Sequence, residues 1–312
     1  MPELLQILES LLYSTLEFAP ALVFAALGAV LSERAGVVNV GIEGMMRVGA
    51  FCAAVAALAV PTPIALLAGM GAGAVLAWVH AWLSIRWRSD QVVSGMALNL
   101  VALAGITFLL ESLFGPSSSP SIEQLGRWDL GPLAEVPLLR AFAGHTWLTP
   151  LAFALAIAFH LFLSRTRTGL RIRAVGEKPA AAATLGVNVF RLRYLCVIGS
   201  GALAGLGGSA LSTATLDRFE HNMPAGLGFM AVAAMVFGRW SPLGAFGAAV
   251  FFAFGNALRI GLASSAPWLL DYVPQGVLLA LPYLLTLLVL SVQGKRSHAP
   301  ASLGTPWQPE VR

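Results

Sequence analysis

Glu43 and Arg47 stand four residues apart inside an otherwise apolar stretch, "LSERAGVVNVGIEGMMRVGAF", that runs from Leu31 to Phe51. On a helix that spacing puts a carboxylate and a guanidinium on one face, close enough to pair. Asn39 lies one turn before Glu43, and glycines occupy positions 36, 41, 44 and 49. Charges inside a membrane segment are costly and therefore face protein or water rather than lipid. The glycines permit close helix approach or a local break, and broken helices near a bilayer midplane present freed backbone groups and helix ends to a solute. Two readings follow. Asn39 and Glu43 line a path for a polar solute along a discontinuous helix, or Glu43 and Arg47 form a structural pair that locks neighbouring helices. Arg47 fits the structural role better. Glu33 and Arg34 most simply cap the turn that precedes this stretch.

Other polar side chains within apolar segments can hydrogen-bond a hydroxylated solute or bridge two helices: Asn99, Asn256, Arg259 and Gln275. Bond-making chemistry has little support. The five histidines, at 80, 145, 160, 221 and 298, form no His-Glu-x-x-His pair, and Glu220 beside His221 has no second histidine one turn on. There is no paired-aspartate motif within the apolar segments, and nothing recommends Ser94 with His160 as a nucleophile and base. Cys52 and Cys196 fall in apolar runs with no metal spacing, so they read as buried thiols. The glycine-rich run "GSGALAGLGGSAL" at 199–211 lacks a Gly-Lys-Ser/Thr ending and reads as a close-packing helix face, not a phosphate loop. The chain is expected to hold no cofactor or metal and to be no enzyme.

The elements that carry these residues are set by composition. Only 11% of the 312 residues are charged and 57% are hydrophobic, against about 25% charged in soluble domains, and the mean hydropathy is +0.78. About nine stretches are long and apolar enough to approach the ~20 residues a membrane helix needs: 11–31, 37–60, 63–85, 91–114, 146–164, 194–212, 224–238, 242–263 and 273–292. The second reads as broken and the seventh as short, so eight to ten crossings are predicted. No period-two alternation suggests a β-barrel. The fold class is an all-α polytopic membrane protein, with a single transmembrane domain over 1–292 and a tail at 293–312 of disordered composition. The N-terminus, "MPELLQILESLL", has no basic region or cleavage site of a removable signal.

Lys and Arg set the orientation. With the loop after the fifth span inside, Arg34, Arg86, Arg88, the basic residues of 165–193, Arg239, Lys295, Arg296 and Arg312 are cytoplasmic, and only Arg127, Arg140 and Arg218 lie outside. The C-terminus is then cytoplasmic and, with an odd count, the N-terminus is outside. Residues 115–144, rich in Pro, Gly and Ser, form an external loop or cap. The pI near 9.5 reflects this topology and implies no nucleic-acid partner.

The cytoplasmic loop 165–193 contains "GEKPAAAATLG", with Pro179 at a first helical position and Gly186 just past the end. Such a short, smooth helix can dock in a groove on another protein, or simply connect two spans. The wider stretch "RAVGEKPAAAATLGVNVFRLR" followed by "GSGALAGLGGSAL" resembles the cytoplasmic coupling region of ABC-importer permeases in the branched-chain amino acid and simple-sugar superfamily. Gly176, Glu177, Ala181, Ala182, Gly186 and Val187 fill its pattern. "LSERAGVVNVGIEGMM" and "DQVVSGMALNL" (90–100) resemble the nucleoside-type permeases that work with lipoprotein binding proteins of the basic-membrane-protein class. The family usually has an aliphatic residue where Arg47 stands.

The resemblance implies a bacterial inner-membrane permease that makes no covalent bond and lines the path for a nucleoside, with a simple sugar as the nearest alternative. It implies a coupling element at Gly176, Glu177, Pro179, Ala181, Ala182 and Gly186. The partners it implies are a cytoplasmic ABC ATPase, a second related permease chain (or a second copy), an extracytoplasmic binding protein and membrane lipid. No Walker A sequence occurs, so ATP would be used by another chain. An ion-driven secondary carrier or channel would also have an interior Glu–Arg pair and broken helices, but has no need of the alanine-rich loop.

Overall fold

A computed structural model describes residues 2–129, 131, 139–265 and 299–308. Helices run through them in the order α1 (Pro2–Arg34), α2 (Ile42–Ala57), α3 (Thr62–Ala81), α4 (Gln91–Phe114), α5 (Leu148–Arg165), α6 (Arg167–Glu177), α7 (Pro179–Thr184), α8 (Val189–Ala210), α9 (Leu227–Phe237) and α10 (Pro242–Ser265). α3 and α8 each end in a π-helical turn, Trp82–Arg86 and Leu211–Thr215. The described residues form no strand, only two isolated β-bridges in the loops.

Six of these helices are long and apolar enough to cross a membrane, so the chain is a multi-pass membrane protein. They coincide with the first, third, fourth, fifth, sixth and eighth stretches predicted from hydropathy. The second and seventh appear as helices of 16 and 11 residues, α2 and α9, about 24 and 16 Å long at 1.5 Å per residue. Each falls short of a ~30 Å hydrocarbon layer, and each is entered through non-helical chain. The ninth, 273–292, lies outside the described residues, as does Gln275.

α8 is the central column, packed against α1, α2 and α3. Its glycine run is the reason. A Cβ added at Gly201, Gly205 or Gly208 would collide with the backbone carbonyls of Gly73, Gly69 and Met46 respectively, so bare backbone is what lets the helices touch. In α1 and α8 the most apolar windows are 78% and 72% buried, whereas those of α3, α4, α5 and α10 are 28–33% buried. The bared faces carry Leu67, Val75, Val93, Leu100 and Phe108, a surface suited to lipid and too extensive for water.

α1 runs the full depth. Near one end the Tyr13 hydroxyl accepts from Arg127 (2.8 Å), and Thr149 donates to Leu16 O (3.4 Å), the carbonyl that Pro20 leaves without its helical N–H. At the other end Arg34 Nε donates to Trp240 O (2.6 Å) and Glu33 Oε2 accepts from Trp240 Nε1 (2.6 Å). Glu33 and Arg34 therefore clamp the turn between α9 and α10; they do not cap their own turn. This second end also holds the α6–α7 loop and is the basic end of the molecule.

The composition of the tail suggests disorder, yet residues 299–308 lie against the basic end, with Ser302 buried and Trp307 packed on Phe190 at 4.8 Å. Main-chain hydrogen bonding, invisible in composition, accounts for the difference: Ser302 N donates to Gly176 O at 2.9 Å and Gly304 N to Gly36 O at 3.3 Å.

Candidate translocation site

Between α1 and α2 the chain from Ala35 to Gly41 is not helical, so its peptide groups need partners away from water. An unmet buried donor or acceptor costs about 1–3 kcal/mol. Polar side chains from three helices supply them. Ser32 donates to Val37 O (2.7 Å), Gln91 Oε1 accepts from Val38 N (2.7 Å), and Asn99 donates to Val40 O (3.0 Å) while accepting from Gly44 N (2.8 Å). His80 Nε2 lies 3.0 Å from Val38 O. A carbonyl can only accept, so that nitrogen carries the proton, and Nδ1 is left to accept from Ser94 Oγ at 3.1 Å. Asn39 donates to Ser200 Oγ at 3.0 Å. Gly95 lets α4 close on this leg, because a Cβ there would lie 2.9 Å from Gly41 N.

The leg delivers α2 to the middle of the molecule with Glu43 in its first turn. The Glu43 carboxylate accepts from Gly226 N at 2.8 Å and from Gly228 N at 2.7 Å. Those two amides open α9, whose N-cap is Gly226 at φ +90°. Each helix N-terminus carries about half a positive charge, and here the N-termini of α2 and α9 share one carboxylate. Gly228 is required by the approach, since a Cβ would sit 2.5 Å from Glu43 Cα. One turn further along α2, Arg47 donates to His221 O at 3.1 Å. The two charges that look like an i, i+4 pair each hold a different backbone group of the 221–228 loop.

Beside this junction lies a cavity of about 580 Å³. Its walls come from α1 (Tyr13, Glu17, Phe18), the loop ahead of α9 (Asn222, Met223) and α9 itself (Leu227). Its Glu17, at the end away from the α6–α7 loop, accepts from Arg127 (3.1 Å) and faces His145 Nδ1 (3.0 Å). That end is roofed by the 115–129 loop, whose Ser119, Ile122 and Leu125 amides donate to the carbonyls of Phe219, Asp217 and Thr213. Ser121 and both donors of Arg218 hold the exposed Asp217 carboxylate, Arg218 most strongly, and lower its pKa to about 2.

At the basic end, α6 and α7 stand between α5 and α8. Pro179 opens α7 and Gly186, at φ +80°, closes the turn after it. Ala182 is buried with Val175 and Val189 above Trp307, while Leu185 at the tip is 85% exposed. Gly176 is pressed on the end of α1, where a Cβ would collide with Arg34 O.

Residues 11–282 match the family described as the permease component of branched-chain amino acid transport systems. The chain belongs to that family. It is similar to the guanosine ABC transporter permease protein NupQ of Bacillus subtilis, at 41% identity over 98% of both chains. It is similar to the nucleoside ABC transporter permease protein NupC of Lactococcus lactis, at 36% over 95% of this chain and 96% of the relative. The putative glucose ABC transporter permease protein TsgC13 of Haloferax volcanii is 38% identical over 80% of this chain and 77% of its own.

Within this permease the structure gathers Asn39, Glu43 and Asn99 at the α2–α9 junction, buried in protein, and none of them is in the described lining of the cavity. Asn256 and Arg259 are half-buried on α10. Gln91 and His80 carry the non-helical leg as much as Asn99 does, yet sequence reasoning passed over the first and weighed the second only as a metal ligand. Gln91 stands inside the quoted "DQVVSGMALNL", so its signal was present. Arg193 of α8 likewise closes the quoted "RAVGEKPAAAATLGVNVFRLR", whereas Glu17 and Asn222 of the cavity had no signal beyond polarity.

Proposed function

We propose that this chain is the membrane-spanning subunit of an ATP-driven ABC importer for nucleosides, resident in a bacterial inner membrane with its C-terminus cytoplasmic. The observation that carries this reading is the near full-length likeness to NupQ and NupC. The chain would cross about nine times, with α2 and α9 as broken spans. α7 would be the coupling helix, with Gly176, Glu177, Pro179, Ala181, Ala182 and Gly186 forming the element that a separate ABC ATPase grips. A second related permease chain and an extracytoplasmic binding protein would complete the assembly.

The geometry supports a path rather than a reaction. A nucleoside is neutral, with a flat base and a polar sugar. The cavity offers Tyr13 and Phe18 as aromatic surface and Glu17 and Asn222 as hydrogen-bonding groups, the mix that small-molecule sites use. Its floor is the loop that Glu43 holds. ATP binding and hydrolysis in the partner would move α7, and the cavity would alternate between outward and inward openings as α9 and its leg shift. Asn39, Glu43 and Asn99 would shape this path from behind without touching the solute.

Purifying the tagged chain from native membranes in mild detergent tests the assembly. A stoichiometric ATPase and a second polytopic permease are expected. Recovery of the chain alone, with uptake that needs no ATP, would favour an ion-driven carrier. Ala182→Trp tests α7, because the indole has no room above Trp307: uptake should fall while the ATPase continues to turn over. Unchanged uptake at normal abundance would remove the coupling assignment.

A further inference from the structure

The Arg193 side chain is almost wholly buried, 2% exposed, one turn into α8. Its guanidinium reaches three oxygens on two separate pieces of chain. Nε donates to Ala35 O at 3.1 Å, Nη1 to Thr305 O at 3.0 Å and Nη2 to Ser302 Oγ at 3.2 Å. Ala35 begins the non-helical leg into α2, and Thr305 and Ser302 belong to the tail. All three acceptors are neutral oxygens. A flat fork of five donors suits such a cluster of diverging acceptors, and a lysine ammonium on its single stem does not.

The tail residues held there also grip the α6–α7 loop. Ser302 donates from its amide and its hydroxyl to Gly176 O, at 2.9 and 2.7 Å, and Ala301 N donates to Glu177 Oε2 at 3.2 Å. Trp307 packs under Ala182 of α7 and against Phe190 of α8. On the other side Gly304 N donates to Gly36 O at 3.3 Å. Gly36 itself, at φ +87°, leaves no room for a side chain, since a Cβ would lie 2.8 Å from Arg193 Nη2 and 2.9 Å from Ser302 Oγ. One short stretch thus touches the underside of α7, the end of α6, the start of α8 and Gly36 of the leg, and reaches Ala35 through Arg193.

We propose that residues 300–307 are a strap and Arg193 its pin, a positioning device that passes movement of α7 to the 35–41 leg and so to the α2–α9 junction. This rests on the reading of the chain as an ABC permease. If α7 is displaced, a rigid tie at Gly176 and Ala182 pulls on Ala35 and Gly36, where the backbone is not helical and has no i, i+4 ladder to resist. Arg193 touches no solute in this scheme. It acts through the backbone it holds.

The test uses the complete complex in proteoliposomes, with guanosine uptake and ATP hydrolysis measured together on wild type, a chain ending at His298, Arg193→Ala, Arg193→Lys and Ser302→Ala. The chain ending at His298 and Arg193→Ala are expected to keep ATP hydrolysis while guanosine moved per ATP falls roughly tenfold, within the range that residues along a coupling route can shift. Arg193→Lys and Ser302→Ala fall between these and wild type. A peptide of residues 299–312, supplied on the ATPase side, should restore part of the ratio to the shortened chain. Unchanged guanosine per ATP in the shortened chain and in Arg193→Ala overturns the strap. Parallel loss of uptake, hydrolysis and abundance in all variants, with no response to the peptide, also overturns it by making the segment merely structural. Wild-type uptake that ignores ATP would instead overturn the importer reading, a different failure from either.

Discussion

Residues 35–57 and 216–237 are each part extended chain and part helix, one entered from the basic end and the other from the opposite end. They meet at Glu43, but they are supported differently. The first leg is held by Ser32, Gln91, His80, Asn99 and Arg193, side chains of α1, α3, α4 and α8. The start of α9 is held by a single carboxylate through two amides, with Arg47 on the loop before it. Redundant side-chain support makes the first leg stiff, so a pull at Ala35 and Gly36 would carry through it to Glu43. The N-terminus of α9 is tied to α2 by that one carboxylate, so a shift of α2 would reach α9 through it, while Asp217 and Phe219 of the preceding loop are bonded to the 115–129 loop.

The largest effect should follow Glu43→Gln. A neutral amide accepts from one of the two N–H groups and presents an unmatched NH₂ to the other, a loss of about 3 kcal/mol. Thermal unfolding in detergent should shift down clearly and uptake should fall, with the order of preference among nucleosides kept. Undiminished stability with altered preference would put the carboxylate in the path and break the comparison.

Asn99→Leu should cost less, about 2 kcal/mol, the low end for leaving Val40 O and Gly44 N unmet, because Gln91 and His80 still hold the neighbouring Val38 in place. The same unfolding measurement checks it, and a loss equal to that of Glu43→Gln would show that the leg has no redundancy. Asp217→Asn should be the smallest. Its folded pKa is lowered from 3.8 to about 2, so the Asp217 contribution is present above the ordinary carboxylate value and lost as pH falls toward 2. Unfolding midpoints of wild type and Asp217→Asn should differ slightly near neutrality and converge in strong acid. A difference that grows on acidification would contradict the assignment.

Much of this arrangement was legible in the residues. Glycines at 41 and 44 with Asn39 and Glu43 marked a break, and 224–238 stood out as short. Pro179 and Gly186 bounded α7 within a residue or two. The glycine run of α8 announced close packing. What sequence could not show is the partner of Glu43, because its donors are main-chain amides 183 and 185 residues away and any residue type carries such a group. The i, i+4 spacing of Glu43 and Arg47 was real, but spacing along one helix is silent about what a neighbouring loop offers. The tail misled for the same reason. Its Pro, Gly and Ser content describes the side chains, while its attachment is chiefly through peptide groups and one buried arginine.

The most direct measurement is uptake of labelled guanosine by proteoliposomes holding this chain with the second permease, ATPase and binding protein proposed for it. The account predicts accumulation that requires ATP and the binding protein and is competed by other nucleosides but not by glucose. Accumulation driven by an ion gradient without ATP, or competition by glucose and not by nucleosides, would contradict it.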